Sequence, residues 1–98
     1  MRTLLRVTIP ADSGNKGIQD GTIQRVIADT MERLRPEAAY FLAEEGMRSG
    51  MFVFDLKDSS DIPSIAEPFF AGFNAAVEFT PVMNAEDLKK GLEKVSRR

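Results

Sequence analysis

Apolar and polar residues alternate over residues 5–9, within the run Arg-Thr-Leu-Leu-Arg-Val-Thr-Ile of residues 2–9 that is rich in β-branched side chains and closed by Pro10, so a strand is predicted over residues 2–9. Residues 11–17 contain Asp, Ser, Asn and two glycines, which is a loop composition. From Thr22 the period changes. Ile23, Ile27, Met31 and Leu34 fall on one helical stripe, with Arg25, Asp29, Glu32 and Arg33 elsewhere. Asn15 and Asp20 are alternative caps for this helix. Pro36 ends it, because proline disfavours the helical conformation of the residue before it.

Residues 38–43 read as a second strand, Glu44, Glu45 and Gly46 as a hairpin bend, and residues 51–57 as a third strand. Asp58, Ser59, Ser60 and Asp61 offer a cap for a helix whose apolar face is Ile62, Ile65, Ala66, Phe69, Phe70 and Phe73. Pro63 is tolerated in a first turn, whereas Pro68 removes an internal donor and predicts a kink. Residues 77–82 supply a fourth strand. Residues 85–95 supply a last helix, capped by Asn84, with Leu88, Leu92 and Val95 expected to face inward.

The order is therefore βαββαβ followed by a C-terminal helix, which predicts an α+β, ferredoxin-like antiparallel sheet with both main helices on one face, in a single domain over residues 1–98. Period-two alternation sorts the strand side chains. One face carries Leu5, Val7, Ile9, Phe41, Phe52, Phe54, Leu56, Val77 and Phe79 and belongs under the helices. The other mixes Leu4, Leu42, Met51, Val53 and Val82 with Arg6, Thr8, Tyr40, Asp55, Glu78 and Thr80. Soluble monomers usually avoid leaving such an apolar patch open, so a partner is expected over it.

Composition narrows the chemistry. With 98 residues, 43% apolar and 29% charged, the chain has the balance of an ordinary one-core globular domain. The sequence has no His and no Cys, which excludes Cys/His zinc sites, thiolate nucleophiles, Ser-His-Asp triads, histidine-ligated haem and disulfides. No metal or cofactor is expected, and the lack of cysteine fits a cytoplasmic protein. A net charge of -2 gives no general attraction to nucleic acid or anionic lipid. The uncharged stretch 68–77 is far too short to span a membrane, and the N-terminal apolar run is interrupted by Arg6. RNA-recognition domains share the βαββαβ order, but Gly50 and Asp55 stand where their third strand would need aromatics, and the first strand has none.

Four side chains on the mixed face are the candidate site. Arg6 is the expected anchor for an anionic group, Tyr40 the ligand-orienting phenol, and Asp55 and Glu78 the proton-transfer carboxylates. The competing structural reading is an ion pair of Arg6 with Asp55 or Glu78 at a subunit interface. A second candidate is a cavity lined by Phe69, Phe70 and Phe73, oriented by Glu67 or Asn74. Ser13 to Gly17 lacks the spacing of a phosphate loop, Asp58 and Asp61 are explained by capping, and Lys89, Lys90, Lys94, Arg97 and Arg98 by a solvated helix end.

The strand entry Pro36-Glu37-Ala38-Ala39-Tyr40-Phe41, the helical segments Ile62-Pro63 and Ala66-Glu67-Pro68-Phe69-Phe70, and the strand Val77-Glu78-Phe79-Thr80-Pro81-Val82 resemble the dimeric α+β barrel superfamily, in particular short uncharacterised bacterial proteins. The resemblance covers nearly the whole chain. It implies two ferredoxin-like subunits packed sheet against sheet, and a range of activities: cofactor-independent monooxygenases, isomerase-like enzymes, haem-handling proteins and effector-binding modules. The missing histidines weigh against haem handling and monooxygenase activity. The expected function is a homodimer that binds a small organic molecule, with cofactor-free catalysis as one form of it; the alternative is a non-catalytic regulatory or assembly module whose polar interface is purely structural.

Overall fold

The computed structural model describes residues 1–97. In chain order its elements are β1 (Arg2–Ile9), α1 (Ala11–Asp20), α2 (Thr22–Leu34), β2 (Ala38–Glu44), β3 (Met47–Asp55), α3 (Ile62–Phe73), β4 (Ala76–Pro81) and α4 (Ala85–Ser96), with a 3-10 turn at Ser59–Asp61 leading into α3. The four strands form one sheet in the order β2-β3-β1-β4, every neighbouring pair antiparallel. This is an α+β, ferredoxin-like arrangement.

Alternation along the central strand β1 decides where the core lies. Thr3, Leu5, Val7 and Ile9 are buried, while Arg2, Leu4, Arg6 and Thr8 are only partly so. The buried set joins Phe52 and Phe54 of β3, Ile23 of α2, and Ile65, Phe69 and Phe73 of α3 in one cluster. The apolar strand face is thus under the helices, as its periodicity predicts, except at Phe41 on the edge strand β2, which was expected there and is 54% exposed.

The segment expected to be a loop at residues 11–17 is instead the first half of α1. Its glycines obscured it. Gly14 and Gly17 are three residues apart on its buried side, and a Cβ on Gly17 would stand 2.7 Å from Cγ1 of Ile23 and 3.0 Å from the Phe73 ring. Glycine here is a packing residue, and tertiary contact outweighs its low helix propensity. Ser13 secures the segment by donating its hydroxyl to the Phe73 carbonyl at the end of α3 (2.5 Å). Asp20 accepts from the Thr22 hydroxyl (2.5 Å) and from the Thr22 backbone N–H (2.9 Å) at the junction with α2, and these bonds, chiefly that of the hydroxyl, hold its carboxyl below the usual carboxylate range.

β3 begins earlier than expected, at Met47, because Glu45 and Gly46 form a two-residue loop between register partners Glu44 and Met47. Both have positive φ, 52° and 77°, the combination a type I′ hairpin requires. Pro68 does not break α3, which runs continuously from Ile62 to Phe73. Asp58 caps its lead-in turn by accepting from the Ser60 N–H.

The largest departure concerns α4. Its start is secured by a capping box between Asn84 and Asp87, and Arg2 links it to the sheet through Asp87 (2.7 Å). Nevertheless Leu88, Leu92 and Val95, expected to face inward, are 47%, 56% and 62% exposed. The helix has no buried residue. The molecule measures 55 × 28 × 18 Å with a radius of gyration of 15.7 Å, against about 13 Å for a compact chain of this length.

Candidate functional site

The mixed sheet face presents the four polar residues predicted from sequence, but they divide into two places. Register pairs Tyr40 with Met51, Met51 with Arg6, and Arg6 with Glu78, so Tyr40, Arg6 and Glu78 stand in one row across the four strands. Strand spacing puts the Tyr40 and Arg6 backbones roughly 10 Å apart, with Met51 between them. Asp55 pairs with Arg2 instead. It is four residues along β3 from the row, roughly 13 Å away.

Within the row, Arg6 donates through Nη1 to Glu44 Oε2 at 2.5 Å, a partner from the end of β2 rather than Asp55 or Glu78. Arg6, Thr8, Glu44, Glu45, Met47 and Glu78 line a shallow hollow around this pair. Tyr40 is 68% exposed. Asp55 accepts from the Lys57 ammonium (2.6 Å) and the Met1 amino group (2.7 Å). Chiefly the Lys57 bond, then that of the amino terminus, holds its pKa at about 2, which makes it a weak base near neutrality.

A different region has the shape of a ligand site. Between α1, α2 and the β2 edge of the sheet, on the helix-covered side, lies a half-open apolar cavity of about 290 Å³. Val7, Ile9, Ile23, Ile27, Phe52 and Phe69 are among the residues that line it. Gly50 also contributes. Its missing side chain lets the Phe41 ring settle where a Cβ would be 3.3 Å away, and Phe41 meets Phe52 edge-on with centroids 5.6 Å apart. Exposed Ile18, Phe41 and Leu42 flank the opening, and Arg48 is the one charged residue of the lining.

Phe69 belongs to both this cavity and the aromatic segment singled out in the sequence, but Glu67 is exposed and Asn74 serves as the left-handed cap of α3 (φ 52°). Arg48 escaped sequence reasoning because the third strand was expected to start at residue 51. In the strand as it stands, Arg48 alternates with Gly50, Phe52 and Phe54, and a charge in that register was the available signal. No protein-family model matches the chain, and no curated protein matches it.

Proposed function

We propose that this chain is a cytoplasmic, homodimeric binding protein for a small organic molecule, and that the ligand occupies the cavity between α1, α2 and the β2 edge. The cavity itself carries this reading. A half-open hollow lined by core side chains leaves them short of contacts that an apolar ligand can supply. At about 290 Å³ it approaches the range of small-ligand pockets, and its walls are apolar, as in most such sites. Its lining offers a cation, Arg48, but no carboxylate, so it suits holding a ligand better than transferring a proton.

Homodimer formation is supported by two unpartnered apolar surfaces. The open sheet face sets exposed Tyr40 and Leu42 beside half-buried Leu4, Met51 and Val53, and α4 carries the exposed stripe Leu88, Leu92 and Val95. A second copy supplies an apolar cover for both. Such pairing agrees with the resemblance to dimeric α+β barrels.

Titration of the amide NMR spectrum with 1-octanol, a neutral apolar probe, tests the ligand site. Saturable shifts confined to Val7, Ile23, Ile27, Gly50 and Phe52, and lost in the cavity-filling variant Ile27→Phe, are expected. Shifts scattered over the surface, or none, would overturn the assignment.

A further inference from the structure

We propose that the ligand is an amphipathic monocarboxylate, its apolar body inside the cavity and its carboxylate held at the mouth by Arg48; this rests on the reading of that cavity as a ligand site. Arg48 issues from the strand face that the helices cover, so its charge must leave the core at the edge. It does so along α1. A Cβ on Gly14 would stand 2.7 Å from its Nη1, and Nη2 donates to Oδ1 of Asn15 at 3.1 Å.

Neither contact neutralises the guanidinium. Asn15 is uncharged, and among the described residues no carboxylate is within ion-pair distance of Arg48, whereas Arg2 has two such partners and Arg6 has one. An anion supplies the missing counter-charge. A single guanidinium fork matches the charge and the two oxygens of one carboxylate, while a phosphate dianion would remain half compensated.

Size and shape define the rest of the molecule. An apolar cavity of about 150 Å³ accepts benzene, so one of about 290 Å³ has room for roughly twelve heavy atoms. Medium-chain and small aromatic acids both meet that description. Ile18, Phe41 and Leu42 at the opening provide apolar contact where the body passes from headgroup to interior.

Octanoate and 1-octanol share one chain length and differ in the headgroup, and their affinities for the wild-type protein, Arg48→Met and Arg48→Lys decide the matter. Octanoate should bind at least about tenfold more tightly than 1-octanol to the wild type, as a charge-assisted bond to a guanidinium requires. Arg48→Met should erase that preference and leave 1-octanol binding intact; Arg48→Lys should retain part of it, having the charge without the fork. Equal affinities in the wild type, or a preference that survives Arg48→Met, would overturn the carboxylate assignment while octanol binding upheld the cavity. Failure of both probes to bind the wild type would overturn both readings. If Arg48→Met also lost 1-octanol, its cavity would no longer be formed, and the wild-type ratio with Arg48→Lys would decide.

Discussion

Arg33 of α2 donates through Nη1 to the main-chain carbonyl of Ser64 at 3.0 Å, and through Nη2 to the Ser64 hydroxyl at 2.5 Å. Ser64 precedes Pro68 by four residues, so this carbonyl would have bonded the N–H that proline lacks. An arginine from the neighbouring helix therefore replaces a missing rung, and α3 continues through Pro68. The same contact ties α2 to α3.

This predicts coupling between two residues that are not bonded to each other. Arg33→Met should lower stability by about 1 kcal/mol, the usual worth of such a hydrogen bond. In a Pro68→Ala background the helix recovers its own donor, and the same change should cost clearly less. Denaturant unfolding of the two single variants and the double variant gives the coupling energy; strictly additive effects would show that Arg33 does not serve the proline gap.

Two helical glycines should respond in opposite directions to alanine. At Gly17 the new methyl would meet Ile23 and Phe73, both buried, and Gly17→Ala should destabilise by about 1–3 kcal/mol through overpacking. At Gly72 nothing lies within 4 Å, and Gly72→Ala should stabilise by about 0.5–1 kcal/mol through helix propensity. Thermal unfolding of the pair checks the sign of each, and a loss at Gly72 or a gain at Gly17 would contradict the packing described.

These glycines also explain what could be read from sequence. Strand and helix periods report burial, so β1, α2, α4 and the covered sheet face were legible in Leu5, Val7, Ile9 and their neighbours. α1 was not, because glycine in a close helix contact has the same composition as glycine in a loop. Leu88, Leu92 and Val95 have the correct spacing for a buried stripe, yet period alone does not say whether the surface to be covered belongs to the same chain. For the candidate site, alternation correctly put Arg6, Tyr40, Asp55 and Glu78 on one face but carried no information about distance along the strands. The cavity was hidden for a further reason: it depends on Gly50 leaving space beside Phe41, a property of three dimensions.

Asp55 predicts a pH effect. Its pKa of about 2 in the folded chain is below the ordinary value of 3.8, so folding favours its ionised form. Its stabilising contribution is therefore complete above about pH 4 and is lost as pH falls through about 2. The group is exposed, which keeps the effect small. A carboxyl NMR titration should give a midpoint near 2, and Asp55→Asn should flatten the acid limb of the stability curve between pH 4 and 2. A midpoint near 3.8 would show that the Lys57 contact does not persist in solution.

The proposed homodimer makes a demand that separates association from folding. Leu92 is 56% exposed and α4 has no buried residue, so Leu92→Lys should leave the stability of an isolated subunit within about 0.5 kcal/mol of wild type. If α4 covers a second copy, the same change sets a charge in an apolar contact and should weaken association by tenfold or more, about 1.4 kcal/mol. Val53→Glu probes the sheet face independently: Val53 is half-buried, and a carboxylate there meets a face already carrying Glu44 and Glu78. Sedimentation equilibrium at several concentrations should show a wild-type dimer, and each variant should shift toward monomer. Loss through Val53→Glu alone would limit the interface to the sheet, and a monomeric wild type at micromolar concentration would refute the dimer.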